Sequence, residues 1–187
     1  MERKIILVSG YCATGKSTFS RELSEKLKIP CFIKDTIKET LGENFGPENN
    51  LVFKKGSTTT FYLMLYIAER FLQVGKICIL EGNFKLHEIE KISELLQKYD
   101  SKCLTFSFKG DFDILFNRYV ERQISEKRHW VHQTAGENAE NFRNGHQKSG
   151  MGEASIGETI SIDATSFKNI DYEHLFSVAK KFINGAS

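Results

Sequence analysis

A glycine-rich segment follows the first apolar run of the chain and leads directly into a helical pattern. The apolar run, residues 5–8, is typical of a strand buried on both faces of a parallel sheet. Residues 16–28 place apolar side chains four apart, which predicts an amphipathic helix. The segment between them fits the pattern G-x-x-x-x-G-K-[ST] and consists of Gly10, Tyr11, Cys12, Ala13, Thr14, Gly15, Lys16 and Ser17. A position between a strand and a helix is the context in which this pattern forms a phosphate-binding loop.

The chemistry of this segment points to ATP and Mg²⁺ as ligands. Its glycines allow backbone amides to turn inward and line an anion site, and the first helical turn adds unpaired N–H groups and partial positive charge. Lys16 is placed to reach the β and γ phosphates, and the Ser17 hydroxyl is a hard oxygen ligand for Mg²⁺. We therefore predict that residues 10–17 and Thr18 bind ATP. The alternative is a glycine-rich turn that carries a surface lysine.

Strand and helix signals alternate along the rest of the chain. Further strands are predicted at residues 31–33, 77–80, 103–106 and 160–162, and further helices at 58–74, 86–99, 112–125 and 172–183, with a helical turn at 36–41. Residues 42–57 are polar and contain Pro47, so a mobile loop is expected there. Residues 126–157 are polar and glycine-rich, and we call this insertion the lid. The alternation predicts one α/β domain over residues 1–187, a three-layer sandwich around a five-stranded parallel sheet.

Composition restricts the surroundings and partners of the chain. The formal net charge of +2 is too small to indicate a general nucleic-acid or membrane surface. The sequence shows no signal peptide and no apolar stretch near the roughly 18 residues that span a bilayer. The cysteines form neither a disulfide framework nor a zinc pattern, so we expect reduced thiols in a cytoplasmic protein; they are Cys12, Cys31, Cys78 and Cys103.

Two carboxylates follow predicted strands at the edge where ligands bind in open parallel sheets. Asp35 comes just after the second strand, so we predict that it holds an acceptor hydroxyl and takes its proton. The alternative is that Asp35 caps the helical turn at 36–41. Glu81 ends the third strand and is predicted to hold Mg²⁺, through water, rather than to be a solvated strand-end glutamate. Asn83, two residues later, is a candidate contact for the acceptor.

Three arginines near the lid are candidates for stabilising charge on the transferred phosphate. Arg118 and Arg122 are one helical turn apart and share a face, and Arg128 follows in the lid. The guanidinium fork suits phosphate, and a lid that closes over the triphosphate would exclude water as a competing acceptor. The alternative is a solvated helix face, because Glu121 and Glu126 lie among the arginines.

The lid also contains three histidines, His129, His132 and His146. A zinc site would need a cysteine or acidic partner that the pattern does not offer, so packing within the lid or contact with the acceptor is the preferred interpretation. Residues 163–166 follow the last predicted strand and are expected to support the adenine ring through backbone contacts.

In this order, the motifs resemble those of the AAA-type P-loop kinases, which include the kinase domain of polynucleotide kinase, zeta toxin and chloramphenicol phosphotransferase. The resemblance rests on residues 10–17, 34–39, 80–84, 118–122, 128–129 and 162–165. It implies a parallel sheet of strand order 2-3-1-4-5 and ATP-dependent phosphorylation of a hydroxyl. By position, Asp35 matches the family's base and Glu81 its metal-side acid, although many relatives have Asp there. Lys38 stands near the position where polynucleotide kinases use an arginine to bind the acceptor phosphate.

Three functions are compatible with these residues. A kinase acting on a small-molecule or nucleotide acceptor is favoured, because Asp35 and the arginines around the lid serve transfer rather than binding alone. A polynucleotide 5′-hydroxyl kinase is less favoured, because the weak net charge comes without an aromatic and basic stripe. A regulatory nucleotide-binding module would need neither the base nor the arginines.

Overall fold

A computed structural model describes residues 2–48, 50–125, 129–132, 138–149 and 155–185, with the side chains of 50–54 and 148–149 left aside. The described strands are β1 (Arg3–Gly10), β2 (Cys31–Ile33), β3 (Cys78–Gly82), β4 (Ser101–Lys109) and β5 (Glu158–Asp163). The described helices are α1 (Lys16–Leu27), α2 (Lys34–Phe45), α3 (Asn50–Gln73), α4 (Leu86–Lys98), α5 (Phe112–Ser125), α6 (Ala139–Ser149) and α7 (Tyr172–Asn184). Two short 3₁₀ turns cover Trp130–His132 and Phe167–Asn169.

The five strands form one parallel sheet of order β2-β3-β1-β4-β5, which confirms the predicted topology. β1 lies in the centre, where Val8 pairs with Glu81 of β3 and Gly10 pairs with Phe108 of β4. On the far side of β3, Ile33 of β2 also pairs with Glu81. This register brings the loop after β1, the end of β3 and the start of α2 to one edge of the sheet.

Side chains of β1 alternate between two hydrophobic cores, one on each face of the sheet. Ile5 and Leu7 are fully buried in the core that α3 and α4 cover. Ile6 and Val8 are fully buried in the core that α1 and α7 cover. The continuous apolar run of β1 therefore exists because helices exclude water from both faces.

Residues 42–57 were predicted to form a mobile loop, and this prediction is wrong. The stretch is mostly helical, because α2 continues to Phe45 and α3 begins at Asn50. A Cβ atom on Gly42 would collide with Val131 of the lid, so the position needs a glycine for packing, not for a turn. Gly46 has a positive φ of 77° and ends α2. Packing against neighbouring elements thus outweighs the roughly 1 kcal/mol that an internal glycine costs a helix.

Three segments of the lid are described, and two of them contact different parts of the domain. The 3₁₀ turn lies on α2, where Lys38 donates to the Val131 carbonyl at 2.8 Å and His132 Nε2 lies 3.0 Å from Glu39 Oε1. Helix α6 packs on α5 and on the loop after β1, with Phe142 buried in a cluster that includes Leu115. The lid is therefore attached on both sides of the carboxyl edge of the sheet.

The remaining general expectations concern cysteines and membranes. All four cysteines are free thiols, and burial raises the pKa values of Cys31, Cys78 and Cys103 to about 12. Within the described ranges, no helix combines the length and the apolar character that a bilayer crossing requires.

Candidate active site

A polar cavity of about 610 Å³ lies at the carboxyl edge of the sheet. The glycine-rich loop lines it with residues 12–17, and Thr18 follows, whereas Gly10 and Tyr11 do not line it. Five further predicted site residues meet there or at its rim: Asp35, Glu81, Asn83, Arg118 and Arg122. A cleft of about 650 Å³ on the opposite side is lined by the amino-terminal ends of β1, β4 and β5. Ligands of open parallel sheets bind at the carboxyl ends of the strands, so the first cavity is the candidate active site.

The backbone of the loop needs its glycines at two positions. Gly10 has a φ of 146°, and a Cβ atom there would collide with the Phe108 carbonyl of β4. Gly15 has a φ of 80° and is the N-cap of α1, where an added Cβ would also press on the Phe167 ring at 3.3 Å. Between them Ala13 takes a positive φ of 59°. Left-handed residues of this kind turn successive N–H groups toward one side, which forms a concave anion site.

The Lys16 side chain is buried and lies across the loop. Its ammonium donates to the Tyr11 carbonyl at 2.6 Å, and the Thr14 hydroxyl donates to the same oxygen at 2.8 Å. An ammonium has three protons, so this bond leaves donors for phosphate oxygens. The carbonyl therefore fixes the position of the charge without using its whole capacity.

Ser17 and Glu81, the two residues predicted to hold Mg²⁺, lie in contact at the cavity. The Ser17 hydroxyl donates to Glu81 Oε2 at 3.2 Å, and Glu81 is only 4% exposed. Neighbouring ligands of an octahedral Mg²⁺ ion with bonds of about 2.1 Å are about 3 Å apart, so the spacing and the hard oxygen donors fit this ion. The pKa of Glu81 is raised to about 7, chiefly by burial and also by the nearby Asp35 carboxylate, while the Lys16 ammonium acts in the opposite direction.

The raised pKa of Glu81 predicts an unusual pH dependence of stability in the absence of metal. Between pH 4.5 and about 7, folded Glu81 keeps a proton that the unfolded chain has released, so the free energy of unfolding falls as the pH rises, by about 3 kcal/mol. Glu81→Gln should remove this fall and be more stable than the wild type above pH 7. Urea unfolding in a metal chelator from pH 5 to 8 measures the difference between the two curves.

Glu25→Gln is the matched control for this prediction, because Glu25 is an exposed carboxylate on α1. Its stability should follow the wild-type curve at every pH. Parallel curves for Glu81→Gln and the wild type would show that Glu81 has an ordinary pKa. Subtraction also removes the contribution of His146, whose pKa is lowered by burial and which is present in both proteins.

Asp35 is exposed and faces the cavity from the first turn of α2. The N-cap of α2 is Ile33, so the alternative that Asp35 caps this helix is wrong. The neighbouring Lys34 is buried and donates to Glu88 of α4 at 2.6 and 2.8 Å. Glu88 also accepts the N–H of Lys85 at 3.0 Å, which ties the start of α4 to the start of α2. This buried ion pair fixes the turn of helix that carries Asp35.

The predicted arginines are placed differently from one another. Arg118 donates to the carbonyls of Ala164 and Thr165, both at 2.6 Å, and its guanidinium lies 4.1 Å from the centre of the Phe167 ring. The guanidinium and the Phe167 ring thus form a flat platform at the rim of the cavity. Arg118 also occupies the backbone carbonyls that were expected to support adenine. Arg122 is exposed on the same helix face and lines the cavity. Arg128 lies outside the described residues, and its role stays a prediction.

Arg21 had no role in the sequence interpretation, whereas Asn83 and His146 were named there without the contacts that they make. Arg21 lines the cavity one helical turn after Ser17, a spacing that could have indicated it. Asn83 donates to the Cys12 thiol at 2.9 Å. His146 is buried behind the loop and accepts the Cys12 N–H at 3.2 Å. No cluster of three or more metal-ligating His, Cys, Asp or Glu side chains occurs in the part of the chain that the structure covers.

Several solved structures with this architecture are kinases. A provisionally assigned kinase from Chloroflexus aurantiacus is 20% identical, with a TM-score of 0.79 over 99% of this chain and 98% of that one. Shikimate kinase from Bacteroides thetaiotaomicron is 14% identical, with a TM-score of 0.57 over 96% of this chain and 98% of its own. A gluconokinase from Sinorhizobium meliloti is also 14% identical, with a TM-score of 0.57 over 98% of both chains. No family model matches the sequence, and a search of curated proteins gave no match. The chain has the α/β fold of the P-loop kinases.

Proposed function

We propose that this protein is an ATP-dependent kinase that transfers the γ-phosphoryl group to a hydroxyl of a small-molecule or nucleotide acceptor. The observation that carries the proposal is a single cavity bordered by the Lys16 loop, by the Ser17–Glu81 oxygen pair and by the Asp35 carboxylate. A nucleotide-binding module needs only the first two of these, because it also binds its nucleotide together with Mg²⁺. Phosphoryl transfer needs all three, because it depends on positioned phosphates, neutralised charge and a held acceptor.

In the proposed reaction, the loop amides and Lys16 bind the β and γ phosphates. Ser17 and Glu81 would hold Mg²⁺, which neutralises charge on the phosphate oxygens when it is bound. Asp35 accepts the proton of the acceptor hydroxyl while that oxygen forms a bond to the γ-phosphorus. The bond between the γ-phosphorus and the β–γ bridging oxygen breaks, and ADP leaves with the electron pair. Arg122 and Arg128 are proposed to stabilise the negative charge on the transferred phosphoryl group.

The platform of Arg118 and Phe167 is the proposed binding position of the nucleobase. It lies next to Gly15, at the end of the phosphate loop where α1 begins, and it presents a flat cationic surface beside an aromatic ring. A purine can stack on such a surface, which would place the triphosphate along the loop toward Glu81. Arg118 would then orient ATP rather than contact the transferred phosphate.

A small polar acceptor is supported by the character of the cavity. Asp35 and Asn83 offer hydrogen-bonding groups, and Arg21 adds a positive charge. Neighbours with this fold include a shikimate kinase and a gluconokinase, which supports a small-molecule acceptor for the present chain as well. The resemblance to polynucleotide kinase, zeta toxin and chloramphenicol phosphotransferase keeps nucleotides and antibiotics among the acceptors to be tested.

The proposal is tested by acceptor-stimulated ADP release from MgATP. Panels of sugars and sugar acids, nucleosides and nucleotides, aminoglycoside and phenicol antibiotics, and 5′-hydroxyl oligonucleotides should be screened with the purified wild type. We expect at least one small molecule to raise ADP release about tenfold or more above the rate in water, because water is a poorly positioned acceptor. Transfer to a hydroxyl is then confirmed by mass, as a gain of one phosphoryl group. Stimulation by oligonucleotides alone would overturn the small-molecule acceptor, and unstimulated hydrolysis with every panel would favour a regulatory ATPase.

A further inference from the structure

The peptide unit between Tyr11 and Cys12 is held from both sides. Its carbonyl accepts protons from the Lys16 ammonium at 2.6 Å and from the Thr14 hydroxyl at 2.8 Å. Its N–H donates to His146 Nε2 at 3.2 Å. The two groups of a trans peptide point in opposite directions, so the plane of this peptide sets where its carbonyl meets Lys16.

The two hydrogen bonds of His146 require one form of its imidazole ring. The Cys12 N–H can only donate, so Nε2 must be an acceptor without a proton. The Phe142 carbonyl lies 2.7 Å from Nδ1 and can only accept, so Nδ1 carries the proton. The contact therefore exists only while the ring is neutral, with its proton on Nδ1.

The surroundings of His146 bury the ring and hold it in place. The ring is 4% exposed, and its centre lies 4.5 Å from that of Phe142, 5.2 Å from that of Tyr11 and 6.0 Å from that of Phe112. His146 does not line the cavity, so it supports the loop from behind instead of competing with phosphate. A ring packed in this way can fix a peptide plane, since its own rotamer is fixed.

We infer that His146 is a positioning residue for Lys16: from helix α6 of the lid, its neutral ring fixes the Tyr11–Cys12 peptide, and this peptide fixes the ammonium that binds the nucleotide phosphates. The inference rests on one part of the proposed function, namely that the loop with Lys16 binds a nucleotide. The chain of bonds from His146 through the peptide to Lys16 polarises in one direction, which strengthens each link. It also gives the lid a contact with the phosphate loop that does not pass through the nucleotide.

Protonation of His146 breaks this arrangement for a simple reason. A proton on Nε2 would face the Cys12 N–H, and two donors cannot share a hydrogen bond. Burial lowers the pKa of His146, and the Lys16 ammonium lowers it further. Within the described part of the chain, the Arg143–Asp113 ion pair, joined at 2.8 Å, lies beside Phe112, and the phenols of Tyr11 and Tyr119 also belong to this cluster. Acidification below the usual range of histidine is therefore needed to release the peptide.

The test compares His146→Ala and His146→Gln with the wild type in titrations with ADP in a metal chelator, from pH 4 to 8. Leaving out metal removes the contribution of Glu81 as a ligand, and protonation of ADP itself cancels in ratios between variants. A glutamine oxygen can accept the Cys12 N–H and does not titrate. His174→Gln is the matched control, because His174 is exposed on α7. Thermal unfolding of each variant separates lost binding from lost folding.

We expect His146→Ala to bind ADP about five- to tenfold more weakly at pH 7.5, the effect of one hydrogen bond. His146→Gln should bind within about threefold of the wild type there and should lose less affinity than the wild type on acidification. In the wild type, the Cys12 amide resonance should shift with the titration of the His146 ring. This last measurement needs no variant to fold.

Two results would overturn the role of His146. One is equal ADP affinity in His146→Ala and the wild type at every pH. The other is a Cys12 amide resonance that ignores the titration of His146. Either result leaves the proposed kinase intact if the wild type still transfers phosphate. A wild type that binds no nucleotide at all would instead remove the proposed function, and the role of His146 with it.

Discussion

Lys16→Ala is expected to lower phosphoryl transfer by about a thousandfold or more and to weaken binding of MgATP by about thirtyfold. The affinity falls because the variant lacks the charge-assisted hydrogen bonds that the ammonium donates to phosphate oxygens. Transfer falls further, because negative charge moves onto the bridging oxygen as the phosphoryl group leaves, and Lys16 is the buried cation of the loop. Nucleotide titrations give the first number, and ADP release with the best acceptor gives the second.

Lys26→Ala is the control for this experiment. Lys26 lies on the same helix, is exposed, and pairs at the surface with Glu173 at 3.0 Å, far from the loop end of α1. Its removal should change neither affinity nor transfer by more than about twofold, as expected for a surface ion pair. Full transfer activity in Lys16→Ala would refute the assignment of the phosphate site, whatever the fold.

The elements that sequence patterns predicted well are those whose signal is local. Residues 5–8 form the centre of β1 because a strand covered on both faces must be apolar at every position. Helix α5 has the predicted bounds of residues 112–125. The prediction of a loop at residues 42–57 was wrong, because glycines and a proline in a polar stretch usually mark a loop. At Gly42 the decisive contact comes from Val131, which no local pattern can reveal.

The same distinction applies to the candidate site. Ser17 and Glu81 were each assigned to Mg²⁺ from the sequence, and they meet because the strand that leads to Ser17 pairs with the strand that carries Glu81. The contact between Cys12 and His146 joins residues 134 positions apart, and His146 comes from a polar insertion without periodicity. The Lys34–Glu88 pair spans 54 positions and depends on how α4 begins. Sequence patterns predicted the groups that are proposed to touch the ligand, whereas the groups that hold them in place depend on packing between distant segments.

Asp35 can be tested without disturbing the residues that hold it in place. Asp35 is exposed, but the helix turn that carries it is fixed from below by the buried Lys34–Glu88 pair. A change at Glu88 would disturb the position of α2 and also the start of α4, so its effect on transfer would be ambiguous. A change confined to the Asp35 carboxylate leaves that support in place and isolates its chemistry.

Asp35→Asn is expected to bind MgATP within about twofold of the wild type and to transfer phosphate about a hundred- to ten-thousandfold more slowly. The amide keeps the size of the side chain and can still accept a hydrogen bond from the acceptor hydroxyl, but it cannot take the proton. Affinity for MgATP is measured by titration, and transfer by ADP release under single-turnover conditions, so that product release does not mask the chemical step.

Glu43→Gln is the matched control, because it makes the same carboxylate-to-amide change at an exposed position two turns further along α2. It should leave both quantities unchanged. If Asp35→Asn transfers phosphate as fast as Glu43→Gln, the carboxylate is not the base, and alignment of the acceptor would have to supply the rate alone. If the variant loses transfer but keeps hydrolysis of ATP by water, the carboxylate serves the acceptor specifically. That result would separate a kinase from a nucleotide-binding switch more sharply than any change in the phosphate loop, because the loop is common to both.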